Sequence, residues 1–201
     1  MTSKAPLLIF DLDGTIYRTE SSFLPTMHRV YAEFGVTPPP DREIMGMVGE
    51  TFDRFLDWLI RQGFTVAKDE LARLIAGYEA AAMREDGELY PDARDTLAVL
   101  RRRGYLLSIC TNGDSRYAYA ILDRFGIRHL FSEIATNEDD RSMKPEMVRL
   151  LLRRLRPAAA FVIGDRHHDI EAGRANGCTV IAAAYGYGKE EELAGADYRI
   201  E

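Results

Sequence analysis

Short, continuous apolar runs are the most regular pattern along the chain. Residues 7–10 form the first run, which ends at a carboxylate, and residues 106–110 and 161–163 form two more. Residues 179–182 form a weaker fourth run. Short runs without polar alternation are typical of strands that are buried on both faces of a parallel sheet. The pattern therefore predicts a buried parallel sheet.

Helical patterns lie between the predicted strands. Apolar residues recur at helical spacing within residues 97–100, 121–125 and 148–155. Each pattern is followed by glycine, proline or a basic cluster, which are common stop signals for helices. The alternation of strands and helices predicts an α/β fold with a doubly wound parallel sheet and right-handed crossovers.

The alternation breaks between about residue 21 and residue 87, where apolar residues follow helical spacing without a convincing strand. This stretch predicts a small helical bundle that is inserted after the first strand and lies beside its carboxyl end. We therefore expect a Rossmann-like core of residues 1–16 and 88–201 and a helical cap of residues 17–87. The aromatic residues of the cap, Phe52, Phe55 and Trp58, are assigned to its packing rather than to a substrate cage.

Composition and charge narrow the class of protein. The 201 residues are 46% hydrophobic and 29% charged, which is typical of one globular domain, with or without an insertion. A net charge of −6 gives no broad attraction to nucleic acid or to an anionic membrane. Cys110 and Cys178 lie in apolar stretches, and the first six residues lack the apolar segment of a signal peptide. We therefore expect a soluble, cytoplasmic protein with buried, inert thiols.

Polar residues follow three of the predicted strands directly. In open α/β sheets, ligands bind beyond the carboxyl ends of the strands. Asp11 and Asp13 follow the first strand, and because only one residue separates them, an extended backbone places both on the same side. Thr111 and Asn112 follow the second strand and offer a hydroxyl and an amide beside a flexible glycine.

The third strand and a lysine complete this set. Asp165 and Asp169 are four residues apart, so that one turn of helix brings them together. Lys144 precedes Pro145, and a proline disfavours helix at the preceding residue while it suits the first helical position. We therefore expect the Lys144 ammonium on a loop at a helix N-terminus, where an anion is also favoured.

Four carboxylates at one edge of a sheet would repel each other unless a cation were bound. Oxygen ligands favour Mg²⁺ or Ca²⁺ over zinc, and an open site that also takes phosphate oxygens favours Mg²⁺. One aspartate could then act as a nucleophile while its neighbour protonates the leaving oxygen and later activates water. His167 and His168 lie between two of these carboxylates, and we interpret them as residues that lead into a helix.

In this order, the motifs Asp-x-Asp-Gly-Thr at Asp11, Thr-Asn-Gly at Thr111, Lys-Pro at Lys144 and Gly-Asp-x-x-x-Asp at Gly164 resemble those of the haloacid dehalogenase superfamily. The resemblance covers nearly the whole chain. Within the superfamily it is to phosphoglycolate-phosphatase-like members with a helical, C1-type cap. Two departures are the segment 16–20, where many relatives have Leu-x-Asp-Ser, and an end that falls short of the usual final helix.

The resemblance implies a role for each residue of the phosphate site. Asp11 would be the nucleophile and Asp13 the acid and base. Thr111 and Lys144 would hold the phosphoryl group, and Asn112 would line the same pocket.

The resemblance also implies a magnesium site. Asp11, the main-chain carbonyl of Asp13, and Asp165 would be the ligands, and Asp169 would support them. Candidate substrate contacts from the cap are Arg18, the segment 48–51 and Arg54, each of which has a structural role as its alternative.

The expected activity is hydrolysis of a small phosphate monoester, through an aspartyl-phosphate intermediate. A phosphomutase similar to β-phosphoglucomutase is the nearest alternative. A signalling receiver domain also accepts phosphate on an aspartate, but it has no use for an acid and base at Asp13 or for a cap of more than about 60 residues. A catalytically silent binding protein is a third alternative. The physiological substrate and the oligomeric state stay open.

Overall fold

The chain is built on a six-stranded sheet in which every neighbouring pair of strands is parallel. Our computed structural model describes residues 5–137 and 143–201. The strands are β1 (Leu7–Phe10), β2 (Tyr17–Arg18), β3 (Glu88–Leu89), β4 (Leu106–Cys110), β5 (Glu133–Ala135), β6 (Ala160–Gly164), β7 (Thr179–Ala183) and β8 (Tyr198–Ile200). The sheet has the order β5-β4-β1-β6-β7-β8, and β2 and β3 form a separate antiparallel pair.

Helices cover both faces of the sheet and form a bundle at one end. They are α1 (Glu20–Phe34), α2 (Asp41–Met45), α3 (Phe52–Arg61), α4 (Lys68–Glu85), α5 (Ala93–Arg102), α6 (Ser115–Arg124), α7 (Lys144–Leu155), α8 (His167–Ala175) and α9 (Glu190–Leu193). The expected doubly wound α/β fold is confirmed. Within the described residues, no helix is both long enough and apolar enough to cross a bilayer.

Side chains of β1 alternate between the two faces of the sheet, as strand geometry requires. Leu8 packs in a cluster with residues of α5 and α6, such as Leu97 and Ile121. Leu7 and Ile9 point the other way and pack in a second cluster with residues of α7 and α8. Burial on both faces explains why the first strand is a continuous apolar run.

The four predicted runs are the four inner strands of the sheet, whereas β5 and β8 were not predicted. These two strands lie at the edges of the sheet and have three residues each. No residue of either strand is fully buried. An edge strand has one neighbour and less burial, so that it needs no continuous apolar run.

The helices α1 to α4 pack around a hydrophobic cluster of their own, which includes Phe23, Tyr31 and Leu59. We call these four helices the α1–α4 bundle. The β2–β3 pair joins the segment that enters the bundle to the segment that leaves it, with Tyr17 opposite Leu89. The expected bundle of helices after the first strand is therefore present.

The predicted position of Lys144, on a loop before a helix, is wrong. Lys144 is the first residue of α7, with Pro145 second. The first N–H groups of any helix lack partners within it, so a proline is tolerated throughout the first turn. The bias that proline imposes on the preceding residue is therefore overcome here, and the lysine enters the helix.

Candidate active site

Three aspartates converge where the neighbouring strands β1 and β6 end. One carboxylate oxygen from each of Asp11, Asp165 and Asp169 lies within 4.8 Å of the others. All three residues are buried. Because Phe10 pairs with Ile163, the two strands reach this edge side by side. The structure therefore brings Asp11, Asp165 and Asp169 together, as the sequence predicted.

Lys144 lies between two of these carboxylates. Its Nζ is 2.9 Å from Asp11 Oδ1 and 2.8 Å from Asp169 Oδ1, and its side chain is only 3% exposed. Burial lowers the pKa of Lys144, but the charges of Asp11 and Asp169 outweigh burial and raise that pKa above its usual value. The lysine is therefore a buried ammonium that neutralises part of the negative charge.

The remaining negative charge is not balanced by the described residues. Burial and the charge of Asp169 raise the pKa of Asp11, and the same two causes raise the pKa of Asp165 to about 7. Backbone N–H groups satisfy one oxygen of each: Leu12 donates to Asp11 Oδ1 at 2.8 Å, and Tyr187 donates to Asp165 Oδ2 at 2.6 Å.

Within the described residues, the buried oxygens Asp11 Oδ2 and Asp165 Oδ1 of this cluster have no hydrogen-bond partner. Buried polar atoms are nearly always paired, and a buried charge is costly unless a partner or a metal offsets it. A hard divalent cation prefers oxygen ligands of this kind. The residues present therefore fit a magnesium ion.

Glycines allow the chain to close around Asp165. Gly14 has φ +72°, and a Cβ on it would lie 2.4 Å from Asp165 Oδ2. A Cβ on Gly186 would lie 2.3 Å from Asp165 Cβ. Both contacts are too short for any other residue, so these two positions require glycine.

The hydroxyl groups of Thr19 and Tyr117 hold Asp13, and the sequence did not reveal either contact. Thr19 Oγ1 donates to Asp13 Oδ1 at 2.7 Å, and Tyr117 Oη donates to the same oxygen at 2.6 Å. Burial raises the pKa of Asp13, although both hydrogen bonds oppose that effect. The Asp13 carboxyl is thus held in one position and favours its protonated form more than an exposed aspartate does.

Thr111 and Asn112 lie beside this group but differ in their contacts. The buried Thr111 accepts a hydrogen bond from the Gly113 N–H at 3.0 Å. Asn112 Nδ2 instead donates to the carbonyl of Gly49, in the segment between α2 and α3, at 2.7 Å. Asn112 therefore joins the α1–α4 bundle to the edge of the sheet.

The sequence model of the family described as haloacid dehalogenase-like hydrolase matches residues 8–183. The chain belongs to the haloacid dehalogenase-like hydrolase family. A phosphoglycolate phosphatase of Haemophilus influenzae is 30% identical to it over 93% of this chain and 89% of the relative. A phosphoglycolate phosphatase of Pasteurella multocida is 31% identical over 90% and 86%. A solved hydrolase of the haloacid dehalogenase-like family from Streptococcus pneumoniae is 26% identical over 99% and 94%, with a TM-score of 0.82.

A cavity of about 580 Å³ separates the catalytic edge of this haloacid dehalogenase-like hydrolase from its α1–α4 bundle. Asp11, Asp13, Thr111, Asn112 and Lys144 line its floor. Phe55 is buried in the bundle and also lines the wall, whereas Phe52 lines the wall and is 40% exposed. The assignment of Phe52 to packing is therefore wrong, because helical spacing does not tell which side of a helix meets a cavity.

The candidate substrate contacts within residues 17–87 differ in whether they line the cavity. Val48, Gly49 and Glu50 line the cavity. Arg18 does not line it and instead pairs with Glu20 and Glu88, at 2.8 and 2.7 Å. Arg54 also lies outside the cavity lining, and its guanidinium is 2.7 Å from the Glu50 carboxylate.

Arg166 forms a second connection between the core of this hydrolase and its α1–α4 bundle. Its buried guanidinium donates to the Val48 carbonyl and, at 2.9 Å, to Glu192. His167 and His168 begin α8, as the sequence indicated. His168 Nε2 lies 3.7 Å from Glu50, and burial lowers the pKa of His168, so that this ring is mainly neutral near pH 7.

Proposed function

We propose that the chain is a magnesium-dependent phosphatase that hydrolyses a small organic phosphate monoester through an aspartyl phosphate at Asp11. One observation carries the proposal: Asp11 lies on the floor of a cavity, with one oxygen held by Lys144 and the other without a hydrogen-bond partner among the residues that the structure describes. Such an oxygen is free to bind a cation or to attack phosphorus.

The proposed magnesium ligands are Asp11, the main-chain carbonyl of Asp13, and Asp165, with Asp169 in a supporting position. Bound Mg²⁺ would neutralise these carboxylates and withdraw charge from the phosphoryl oxygens. Lys144 would bind the same phosphoryl oxygens as a fixed positive charge, and Thr111 would donate a hydrogen bond to them. Asn112 would line the pocket from its position beside Gly49.

The reaction then needs two steps at Asp11. In the first step, a carboxylate oxygen of Asp11 bonds to phosphorus while the ester oxygen leaves and takes a proton from Asp13. In the second step, Asp13 takes a proton from water, the water oxygen bonds to phosphorus, and the bond from Asp11 to phosphorus breaks. Thr19 and Tyr117 would keep the Asp13 carboxyl in position for both proton transfers.

We infer that residues 17–87 act as a cap that closes the substrate cavity. Two observations support this role: the α1–α4 bundle has its own hydrophobic cluster, and it touches the edge of the sheet through Asn112 and Arg166. A small phosphorylated metabolite is the expected partner. Both cysteines are free and buried, which agrees with the expected cytoplasmic location.

A phosphate-release assay with phosphoglycolate and a panel of phosphate monoesters tests the proposal. We expect release with Mg²⁺, its loss with EDTA, and a loss of more than about a thousandfold in kcat for Asp11→Asn. Asp95→Asn, which changes an exposed aspartate of α5, should keep full activity. Unimpaired turnover by Asp11→Asn would refute the covalent mechanism, and phosphate release that required a sugar acceptor would favour the phosphomutase.

A further inference from the structure

The wall of the cavity that faces the catalytic floor is mainly apolar. Helix α4 contributes Ala72, Ala76 and Ala80, which are four residues apart and therefore share one face of the helix. Their small side chains leave room. The rest of this wall consists mostly of larger apolar side chains: Phe23, Phe52, Phe55, Ile75 and Met83. A volume of about 580 Å³ lies within the range of about 300–1,000 Å³ that is typical of pockets for ring-sized organic ligands.

Glu79 is the acidic residue that α4 directs to this cavity. Within the part of the chain that the structure describes, its carboxyl has no hydrogen-bond or ion-pair partner. Burial and the negative charges of Asp13 and Asp114 raise the pKa of Glu79 to about 8. A ligand that brings a positive charge to this place would stabilise the ionised form of the carboxyl and pair with it.

Besides Lys144, two described cations line the cavity, Arg73 and Arg116, and both side chains are exposed to solvent. Lys144 is held by two aspartates on the floor. Arg73 is exposed and donates to the Asp69 carbonyl at 3.2 Å. Arg116 is 83% exposed and lies 3.8 Å from Asp114. A carboxylate on the body of a substrate would therefore face apolar side chains and Glu79, and the cations near it would be screened by solvent.

This inference rests on the phosphatase activity proposed above. We propose that the substrates of this chain are phosphate monoesters with an apolar, ring-sized body that carries an amine for Glu79, rather than esters of a hydroxy acid. The phosphate would lie on the floor, the body against the alanines and aromatic residues, and the amine at Glu79. The relatives named phosphoglycolate phosphatase would then differ from this chain in substrate.

Two esters of equal size and opposite charge test the proposal. We would compare kcat/KM for para-(aminomethyl)phenyl phosphate and para-carboxyphenyl phosphate, with phenyl phosphate and phosphoglycolate as references. We expect kcat/KM for the aminomethyl ester to exceed that for the carboxyl ester by about 100-fold. The ammonium of the first ester would form a charged hydrogen bond with Glu79, whereas the carboxylate of the second would lie beside a buried acid. Glu79→Gln should reduce this ratio to less than about tenfold.

Glu70→Gln is the matched control. It makes the same change at an exposed position of α4 outside the cavity and should leave the ratio as it is. Comparing ratios between variants cancels the different reactivities of the two leaving groups. A preference for phosphoglycolate or for the carboxylate ester would overturn the proposal, and so would a ratio that Glu79→Gln does not change.

A binding measurement separates this proposal from the phosphatase proposal. The affinities of para-(aminomethyl)benzylphosphonate and para-carboxybenzylphosphonate would be measured by titration calorimetry with Mg²⁺. Tighter binding of the amine, reduced in Glu79→Gln, supports the assigned substrate class even if no ester is hydrolysed, in which case only the phosphatase proposal fails. Equal affinities, or tighter binding of the carboxylate, contradict it whatever the turnover.

Discussion

Asp13 shows how much of the site depends on single hydrogen bonds. Its carboxyl has to give a proton to the leaving oxygen and then take one from water, so its position matters in both steps. Thr19 and Tyr117 donate to the same oxygen, Asp13 Oδ1, and so fix its position. Tyr117 is therefore a positioning residue in this account.

Replacing Tyr117 by Phe should lower kcat by about 10- to 100-fold, because a hydrogen bond to a buried carboxyl is lost and its position is released. KM should change little, since Tyr117 is not expected to bind the phosphate. The measurement is steady-state kinetics on a phosphate monoester. Tyr119→Phe removes a hydroxyl two residues away on the same helix and should have no such effect. A Tyr117→Phe enzyme with full kcat would exclude the positioning role.

The sequence could predict the aspartates but not the hydroxyl groups that hold Asp13. Asp11 and Asp165 each follow an apolar strand directly, and parallel strands place such residues at one edge. Tyr117 is 104 residues from Asp13 along the chain, and nothing in its local pattern marks it. Thr19 lies in the segment 16–20, which departs from the family pattern. Contacts of this kind depend on how separate elements pack.

At the scale of elements, two helices differ in how closely their backbones approach the neighbouring elements, as one glycine in each shows. Gly173 lies in α8, where an added Cβ would be 2.4 Å from Val180 Cγ2, in the strand β7 beneath. Gly77 lies in α4, where an added Cβ would have no atom of the described residues within 4 Å. The first glycine allows close contact between helix and sheet, whereas the second serves no packing purpose.

Alanine substitutions at these glycines should therefore have opposite effects. Gly77→Ala should increase the free energy of unfolding by about 0.5–1 kcal/mol, because alanine loses less backbone entropy in a helix. Gly173→Ala should decrease it by about 1–3 kcal/mol, because the helix has to move away from the sheet. Denaturant unfolding of the two variants and the parent measures both changes. Equal effects at the two sites would contradict the packing of α8.

The elements that sequence patterns predicted well are those with strong burial. The inner strands β1, β4, β6 and β7 are continuous apolar runs, and the amphipathic helices show their buried faces. The edge strands β5 and β8 are short and partly exposed, so that hydrophobicity does not reveal them. Lys144 entered its helix one position earlier than the proline rule suggested, because that rule is a preference and not a prohibition.

At the scale of the whole molecule, two parts with separate cores meet over the cavity. Asn112 and Arg166 connect the sheet edge to Gly49 and Val48. The sequence indicated a group of helices after the first strand, since the helical stretch interrupts the alternation. It could not predict which residues of the α1–α4 bundle face the floor, because that depends on the orientation of the bundle.

Arg166→Met should destabilise the protein by about 2–4 kcal/mol, because Glu192 and the Val48 carbonyl lose a buried donor. Arg199→Met breaks an exposed pair with Glu190 and should have little effect, since surface ion pairs contribute little. Thermal and denaturant unfolding measure both. If Arg166→Met has the same free energy of unfolding as the parent, the contacts of Arg166 with Val48 and Glu192 do not stabilise the protein.

The proposed mechanism requires that the phosphoryl group is bound to Asp11 before it is transferred to water. The most direct test is to mix the enzyme with Mg²⁺ and phenyl phosphate, quench with acid within one turnover, and reduce with borohydride before mass spectrometry of the peptides. An acyl phosphate at Asp11 would be reduced to homoserine, and we predict that mass change at Asp11. Rapid phosphate release with an unmodified Asp11 peptide at every quench time would contradict the account.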